Sequence, residues 1–261
     1  MNFDPNYLAT IFFVFISGVI PALIWLIFWT HEDRENPEPK SMIALAFLGG
    51  MVAVFISLFL EKYFYEIGLK NLFESSFLVS TLSWFENIAR QTNVNIDKIL
   101  LVVIFAPIIE ELAKFVMAFT LALRSKYDDE PLDPMIYMIT TALGFAAIEN
   151  MFFLIDPVSK HNVVLSIFTG NMRFVGATLL HTISSATIGL FISFNFFNFK
   201  SKEIFFGFIG IICSIIIHGA FNFFMIGNQV ASFTTLELIW VAVIIVLLAF
   251  EKIKKIKEEN I

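Results

Sequence analysis

The sequence has few charged residues and almost no cysteine. Only 15% of its 261 residues are charged, whereas 58% are hydrophobic, and the mean hydropathy is +0.81. A water-soluble domain of this length seldom tolerates such a composition. The net charge of −6 argues against a nucleic-acid partner. The single cysteine, Cys213, excludes an intrachain disulfide, and its apolar surroundings favour a packing role.

Several sequence signals are also missing. The first apolar stretch, Leu8 to Trp29, has no basic residue before it and no small-residue cleavage signal after it. We therefore expect a retained membrane span rather than a signal peptide. The sequence contains no His-Glu-x-x-His motif, no internal repeat and no low-complexity tract.

Long apolar runs make up most of the chain. A helix needs about 20 apolar residues to cross the hydrocarbon core of a bilayer. The runs that meet this length are Leu8–Trp29, Ser41–Leu60, Lys98–Leu123, Met135–Ile155, Arg173–Phe197, Glu203–Ile226 and Phe233–Phe250. We predict an all-α, polytopic transmembrane helical bundle of about seven spans, forming a single membrane domain over residues 1–261.

The connections between the spans differ in character. Residues 61–97 mix apolar and charged side chains, which predicts an amphipathic interfacial segment between spans two and three. The stretch Val163–Thr169 is too short to span, so we predict a re-entrant or interfacial piece before span five. A charged tail follows the last span over residues 251–261.

The distribution of Lys and Arg predicts an orientation. With the amino terminus outside, the inside connections hold ten basic residues and the outside connections five. The inside set is Arg34, Lys40, Arg124, Lys126, Lys200, Lys202, Lys252, Lys254, Lys255 and Lys257, and the outside set is Lys62, Lys70, Arg90, Lys98 and Lys160. The positive-inside rule therefore favours an outer amino terminus and a cytoplasmic carboxyl terminus.

Ionisable residues interrupt four of the spans, although such groups are costly in the bilayer and usually face a cavity and one another. In the third span, Lys114 lies three residues after Glu111 and four after Glu110, so either glutamate can pair with it. The later spans carry Glu149 and Asn150, then Arg173 and His181, then His218 and Asn222.

The depths of these residues agree with one another. If the spans alternate in direction, Glu110, Glu149, His181 and His218 lie roughly 9–18 Å from the outer helix ends. Any one of them could be packing glue between helices. Functional side chains at matched depth on four helices exceed what packing requires, so we predict one site with a catalytic core over residues 98–226.

Four ordered motifs carry a family resemblance. They are Glu110-Glu111-x-x-Lys114, Phe145-x-x-x-Glu149-Asn150, Arg173 followed by His181-x-x-x-Ser185-x-x-x-Gly189, and His218-x-x-x-Asn222. The chain resembles the PrsW family of intramembrane glutamic-type proteases, distant relatives of the type II CAAX prenyl endopeptidases. The resemblance implies a bacterial cell membrane and hydrolysis, without a metal or other cofactor, of a membrane-anchored protein such as an anti-sigma factor.

The resemblance also implies roles for individual residues. Glu110 and His181 would activate water, Glu111 would orient His218, and His218 with Asn222 would stabilise the oxyanion. Glu149, Asn150 and Arg173 would support these groups, and Lys114 would hold the glutamate pair.

Three alternatives remain open at this point. Glutamates and histidines are also the ligands of catalytic zinc sites. Buried Glu, Lys and His serve proton-coupled transporters, although the sequence lacks paired broken helices in corresponding halves. A non-catalytic membrane scaffold or immunity protein would keep the same polar residues as packing contacts.

Overall fold

The computed structural model describes residues 5–33, 36–69, 95–160, 162–226 and 229–256, and these residues form helices joined by short turns. The α-helices are α1 (Pro5–Glu32), α2 (Lys40–Tyr63), α3 (Ile96–Leu100), α4 (Ala106–Leu121), α5 (Asp133–Ser159), α6 (Val163–Met172), α7 (Thr178–Ser193), α8 (Lys200–Ile226) and α9 (Gln229–Ile253). Three π-helical segments, Phe64–Leu69, Leu101–Phe105 and Arg173–Ala177, extend or join them without a break. The predicted all-α bundle is confirmed.

Among the described residues, six helices are long and apolar enough to cross a membrane. They cover Thr10–Glu32, Lys40–Glu66, Asp133–Ser159, Val164–Ser193, Lys200–Ile226 and Phe233–Ile253. The seventh predicted span is the continuous helix over residues 96–121, formed by α3, a π segment and α4. This helix is not among the six because it carries three charged residues, Glu110, Glu111 and Lys114, near its centre.

The connections depart from the predictions at two places. The Asn162 side chain accepts a hydrogen bond from the Leu165 backbone N–H at 3.0 Å and caps α6, which continues without interruption into α7. The predicted re-entrant or interfacial piece at Val163–Thr169 does lead into span five, but it is not separate from it, because these residues are the first turns of the same helix. Residues 61–69 continue the α2 helix, and most of the predicted interfacial segment lies outside the described residues.

Helix α5 lies at the centre of the bundle and packs against α1, α2 and α7. Its residues are buried almost continuously from Asp133 to Ile148. A Cβ on Gly144 would lie 1.9 Å from the Phe47 carbonyl oxygen, so glycine allows α5 to approach α2 closely. Small residues serve this purpose at membrane helix interfaces. This packing fixes the end of α5 that carries Glu149 and Asn150.

Candidate active site

The carboxylate of Glu111 is fully buried and fully bonded. Lys114, one turn later on α4, places its Nζ 2.5 Å from Glu111 Oε1. His218 of α8 places Nδ1 2.7 Å from the same oxygen. Three serine hydroxyls also donate to this carboxylate, Ser184 at 3.0 Å, Ser185 at 3.4 Å and Ser214 at 2.8 Å. Glu111 therefore joins three helices around one negative charge.

Glu110 has a different environment. Successive residues on an α-helix point about 100° apart, so the two neighbouring glutamates face different sides of α4. Glu110 is 8% exposed, and its Oε2 is buried without a hydrogen-bond partner among the described residues. That oxygen lies 3.7 Å from His218 Nε2 and 4.0 Å from His181 Nδ1. Oε2 of Glu110 thus faces two imidazole nitrogens at distances that leave room for a small molecule or ion between them.

The hydrogen bonds of the two histidines indicate where their protons lie. Lys114 Nζ lies 3.1 Å from His181 Nδ1, and Glu149 Oε2 lies 2.8 Å from His181 Nε2. An ammonium only donates and a carboxylate only accepts, so this network assigns the proton of His181 to Nε2. By the same argument, His218 donates through Nδ1 to Glu111 and turns Nε2 towards Glu110.

Arg173 holds the supporting residues together. It forms an ion pair with Glu149 through Nη2, and its Nε donates to Asn150 Oδ1 at 2.5 Å. Its guanidinium lies 4.0 Å from the Phe153 ring centroid. Asn150 in turn donates to Thr178 Oγ1 at 3.0 Å. Arg173 was predicted at the start of span five, but it lies within the continuous helix over residues 163–193.

A glycine contact brings α8 to this cluster. A Cβ on Gly219 would lie 2.5 Å from the Val103 carbonyl oxygen, so only glycine fits where α8 crosses the π segment before α4. This crossing places the neighbouring His218 beside both glutamates. The close approach of α8 thereby decides which imidazole reaches Glu111.

A cavity of about 380 Å³ opens beside the cluster. Glu110, His181 and His218 line it, together with Glu61, Glu149, Arg173 and Asn222. Apolar side chains form the rest of the wall, among them Val54, Leu58, Phe145, Phe152 and Met225. The cavity is therefore lined by a few polar residues on one side and by apolar residues elsewhere, as substrate sites commonly are.

Asn222 is the predicted residue that stands apart from the cluster. It lines the cavity one turn beyond His218, but its Nδ2 donates to the Val102 carbonyl at 2.9 Å. The other predicted residues, Glu110, Glu111, Lys114, Glu149, Asn150, Arg173, His181 and His218, are linked by the contacts given above.

Comparison with known proteins agrees with the motifs. A family model described as a PrsW family intramembrane metalloprotease matches residues 38–249. This chain belongs to the PrsW family. The resemblance drawn from the four motifs is thus confirmed.

Several curated relatives carry the name Protease PrsW. The Clostridioides difficile (strain 630) protein is 27% identical over 213 residues, covering 81% of this chain and 79% of its own length. The Bacillus subtilis (strain 168) protein is 25% identical, covering 62% and 70%. The Oceanobacillus iheyensis protein is 26% identical, covering 94% and 96%. No solved structure matches. Membership of the PrsW family and the apolar helices together support an integral membrane protease.

The PrsW description includes a metal, and the cluster can be tested for one. One ligand atom each from Glu110, His181 and His218 lie within 4.8 Å of one another. Two imidazoles and a carboxylate with an open position match the ligands of catalytic zinc. Each imidazole gives its other nitrogen to a carboxylate, Glu149 or Glu111, as zinc-bound histidines do. The residues fit a zinc ion, provided that Lys114 releases His181 Nδ1.

Sequence reasoning missed several PrsW site residues of this chain. Ser214 lies four residues before His218, and Ser184 lies three after His181, so helical spacing contained a signal for both. Glu61 was assigned to the interfacial connection, yet it lies on the continuation of α2 and lines the cavity. Its proximity to the cluster depends on helix packing and has no counterpart in sequence spacing.

Proposed function

We propose that this PrsW protein is an intramembrane endopeptidase that hydrolyses a peptide bond of a membrane-anchored protein, with water activated by Glu110. The observation that carries the proposal is the unpartnered, buried Oε2 of Glu110, which lies 3.7 and 4.0 Å from two imidazole nitrogens and faces a cavity. A general base needs a free oxygen within reach of water, and Glu111 lacks one because all its contacts are filled.

The proposed reaction proceeds beside the polar residues that line the cavity. Glu110 Oε2 accepts a proton from water while the water oxygen bonds to the scissile carbonyl carbon. The carbonyl oxygen becomes an oxyanion, and the proton on Glu110 passes to the departing amide nitrogen as the C–N bond breaks. His181 is the second member of the water-activating pair: Glu149 holds its Nε2, and its Nδ1 can reach the water once Lys114 releases it.

His218 is the candidate donor to the oxyanion. Glu111 accepts its Nδ1–H, and a proton carried on Nε2 would be donated to the oxyanion from the cavity wall. A donor fixed where negative charge develops lowers the barrier. Asn222 shares this role if a bound substrate draws its amide away from the Val102 carbonyl.

The metal-dependent form of the same reaction is the second candidate, favoured by the grouping of Glu110, His181 and His218. A zinc ion held by these residues would polarise water and the scissile carbonyl. A chelator separates the two candidates. The metal-free mechanism predicts unchanged cleavage by the purified protein after chelation, whereas loss of cleavage that zinc restores would establish the metal.

The position of the cavity indicates where substrate is cut. Its polar lining lies towards the ends of α2, α5 and α8 and the beginning of α4. With the amino terminus outside and the carboxyl terminus inside, those ends lie in the outer leaflet. The family resemblance implies a membrane-anchored regulatory protein, such as an anti-sigma factor, as substrate, and the position of the cavity favours a cut near its outer membrane boundary.

The proposal is tested with single-span reporter proteins. Wild type and Glu110→Gln are expressed with reporters that carry varied juxtamembrane segments, and cleavage is read by immunoblot and mass spectrometry. Wild type should cleave at least one reporter, and Glu110→Gln none. Glu237→Gln is the matched control, because Glu237 is an exposed glutamate on the α9 span and outside the cavity lining. Equal cleavage by wild type and Glu110→Gln would refute the catalytic assignment.

A further inference from the structure

One carboxylate in the cavity has no part in the chemistry above. Glu61 lies on α2, is half-buried, and lines the cavity together with Glu110, Glu149 and His181. It belongs to none of the four motifs. Glu61 lines the cavity but is not part of the Glu110, His181 and His218 group, so it is available for contact with substrate.

The charges around the cavity do not balance. Among the described lining residues, Glu61, Glu110 and Glu149 are acidic, and Arg173 is the one Arg or Lys. Arg173 is already committed to Glu149, Asn150 and the Phe153 ring. Lys114 is paired with Glu111 and does not line the cavity. Acidic side chains therefore outnumber basic ones along the cavity wall.

A second observation points to a missing ligand. Glu110 Oε2 is buried in the same cavity and has no hydrogen-bond partner among the described residues. Unpaired carboxylates in a membrane interior are costly, and a nearby cation offsets that cost. A group that brings positive charge into this cavity would be bound with favourable electrostatics.

The wall beside Glu61 indicates the chemical form of that group. Val54, Leu58, Phe152 and Met225 line the same cavity and present apolar surface. Lysine and arginine combine an apolar stem with a charged head, and they bury the stem along apolar surface. Lysine and arginine near the ends of membrane spans extend towards the interface in this way. A lysine or arginine near the span of a substrate therefore fits both the wall and Glu61.

We propose that Glu61 is a specificity-determining residue that binds a lysine or arginine side chain of the substrate next to the scissile bond. This inference rests on the proposed protease function. The proposed ligand of the cavity is a basic juxtamembrane segment of the substrate, and Glu61 binds this segment rather than activating water.

Peptide binding tests the inference without requiring cleavage. The probes are fluorescent decapeptides that differ at one position, which is Lys, Gln or Glu, and the full-length protein is held in detergent micelles. Wild type should bind the Lys peptide roughly tenfold more tightly than the Glu peptide. Glu61→Gln should reduce this ratio to about 1, and Glu61→Lys should reverse it. Glu237→Gln, the exposed control, should keep the wild-type ratio.

The same substitutions in the single-span reporters test selectivity during cleavage. The ratio of Lys-reporter to Glu-reporter cleavage should fall in Glu61→Gln and invert in Glu61→Lys. If wild type cleaves some reporters but the ratio is independent of residue 61, the inference about Glu61 is wrong and the protease proposal stands. If wild type cleaves none, the protease proposal fails, while the peptide ratios still decide whether Glu61 binds a cation. Peptide ratios that Glu61→Gln leaves unchanged, or no binding to wild type, would overturn the inference.

Discussion

Two groups of carboxylates lie at different levels along α5, one at its amino-terminal end and one in its carboxyl-terminal half, and they are stabilised in different ways. The cavity cluster comprises Glu110, Glu111 and Glu149 with their partners. The loop cluster comprises Asp33, Glu38, Asp128 and Asp133, near the amino-terminal end of α5. Asp133 and Glu149 are sixteen residues apart on one helix, which corresponds to roughly 24 Å.

Fixed cations and imidazoles surround the acids of the cavity cluster. Lys114 and His218 hold Glu111, and Arg173 and His181 hold Glu149. Of these three glutamates, Glu110 alone keeps a buried oxygen without a hydrogen-bond partner among the described residues. The arrangement leaves one oxygen of Glu110 unpaired at the cavity, whereas Glu111 and Glu149 are held in ion pairs.

The acids of the loop cluster are stabilised by protonation and by hydrogen bonds from backbone amides. Asp133 accepts hydrogen bonds from the backbone N–H groups of Asp129 and Glu130, and the Tyr137 hydroxyl donates to Glu38. Burial, followed by the charge of Glu38, raises the pKa of Asp33 to about 7. Burial, followed by the charge of Glu203, raises the pKa of Asp128 to about 7. Both clusters contain buried carboxylates, and the cavity cluster differs by its buried ion pairs and its imidazoles.

The largest effect is expected when Lys114 is removed. Lys114→Met leaves Glu111 buried without its cation and frees His181 Nδ1. Loss of one partner of a buried ion pair costs about 3–5 kcal/mol, so the variant should unfold at a lower temperature and lose activity. Lys114→Arg should retain most of the stability, because it keeps the charge. Thermal unfolding in detergent micelles measures the stability of both variants. A Lys114→Met variant as stable as wild type would contradict the view that buried ion pairs stabilise the cavity cluster.

His218→Gln should affect catalysis more than stability. The variant loses the imidazole between Glu111 and Glu110, which is the proposed donor to the oxyanion. A loss of about 10²–10³-fold in the cleavage rate is expected from mutations of such donors. Ser214→Ala is the control, because it removes only one hydrogen bond to Glu111. Single-turnover cleavage of a reporter gives the rates, and His218→Gln rates near those of Ser214→Ala would contradict the role.

Glu149→Gln should have an intermediate effect. It weakens the partner of His181 Nε2 and leaves Arg173 without its carboxylate. Loss of a residue that orients a reactive histidine typically costs about 10–100-fold in activity. Asp156→Asn, a change at an exposed acid on the same helix that pairs with Lys160, should leave the rate unchanged. A pH–rate profile that shifts in Glu149→Gln but not in Asp156→Asn would show that Glu149 acts through His181.

The smallest effect is expected in the loop cluster. The pKa of Asp33 rises from 3.8 for an ordinary carboxyl to about 7 in the folded protein. The folded state therefore binds this proton more tightly than the unfolded chain, and its contribution to stability is lost as the pH rises from about 4 to 7. Asp33→Asn removes that loss and should raise the unfolding temperature at pH 8 by about 2–4 °C, the shift for roughly 1 kcal/mol.

The comparison between pH 8 and pH 5 supplies the control. The difference between Asp33→Asn and wild type should shrink at pH 5, where Asp33 of the folded protein is protonated. Reporter cleavage should stay at the wild-type rate, because Asp33 lies outside the cavity. A lower unfolding temperature for Asp33→Asn at pH 8 would show that the charged form of Asp33 stabilises the fold.

Helical periodicity and span length predicted much of the site. Lys114 one turn after the two glutamates, and His218 at matched depth on another span, were both visible in the sequence. The positions of Val163 and Glu61 were not. Each lies in a helix that extends beyond its apolar core, where polar residues make the end of a span indistinct and neighbouring helices decide how far it continues.

The sequence by itself determined that the chain is a polytopic helical membrane protein with ionisable residues on four spans, because apolar length and motif order do not depend on packing. Only the tertiary structure decided how those residues divide their roles. The spacing allowed Lys114 to pair with either glutamate, and the packing of α7 and α8 against one side of α4 enclosed Glu111 and left Glu110 at the cavity. Tertiary structure also brought Glu61 beside a site from which it is 49 residues distant in sequence.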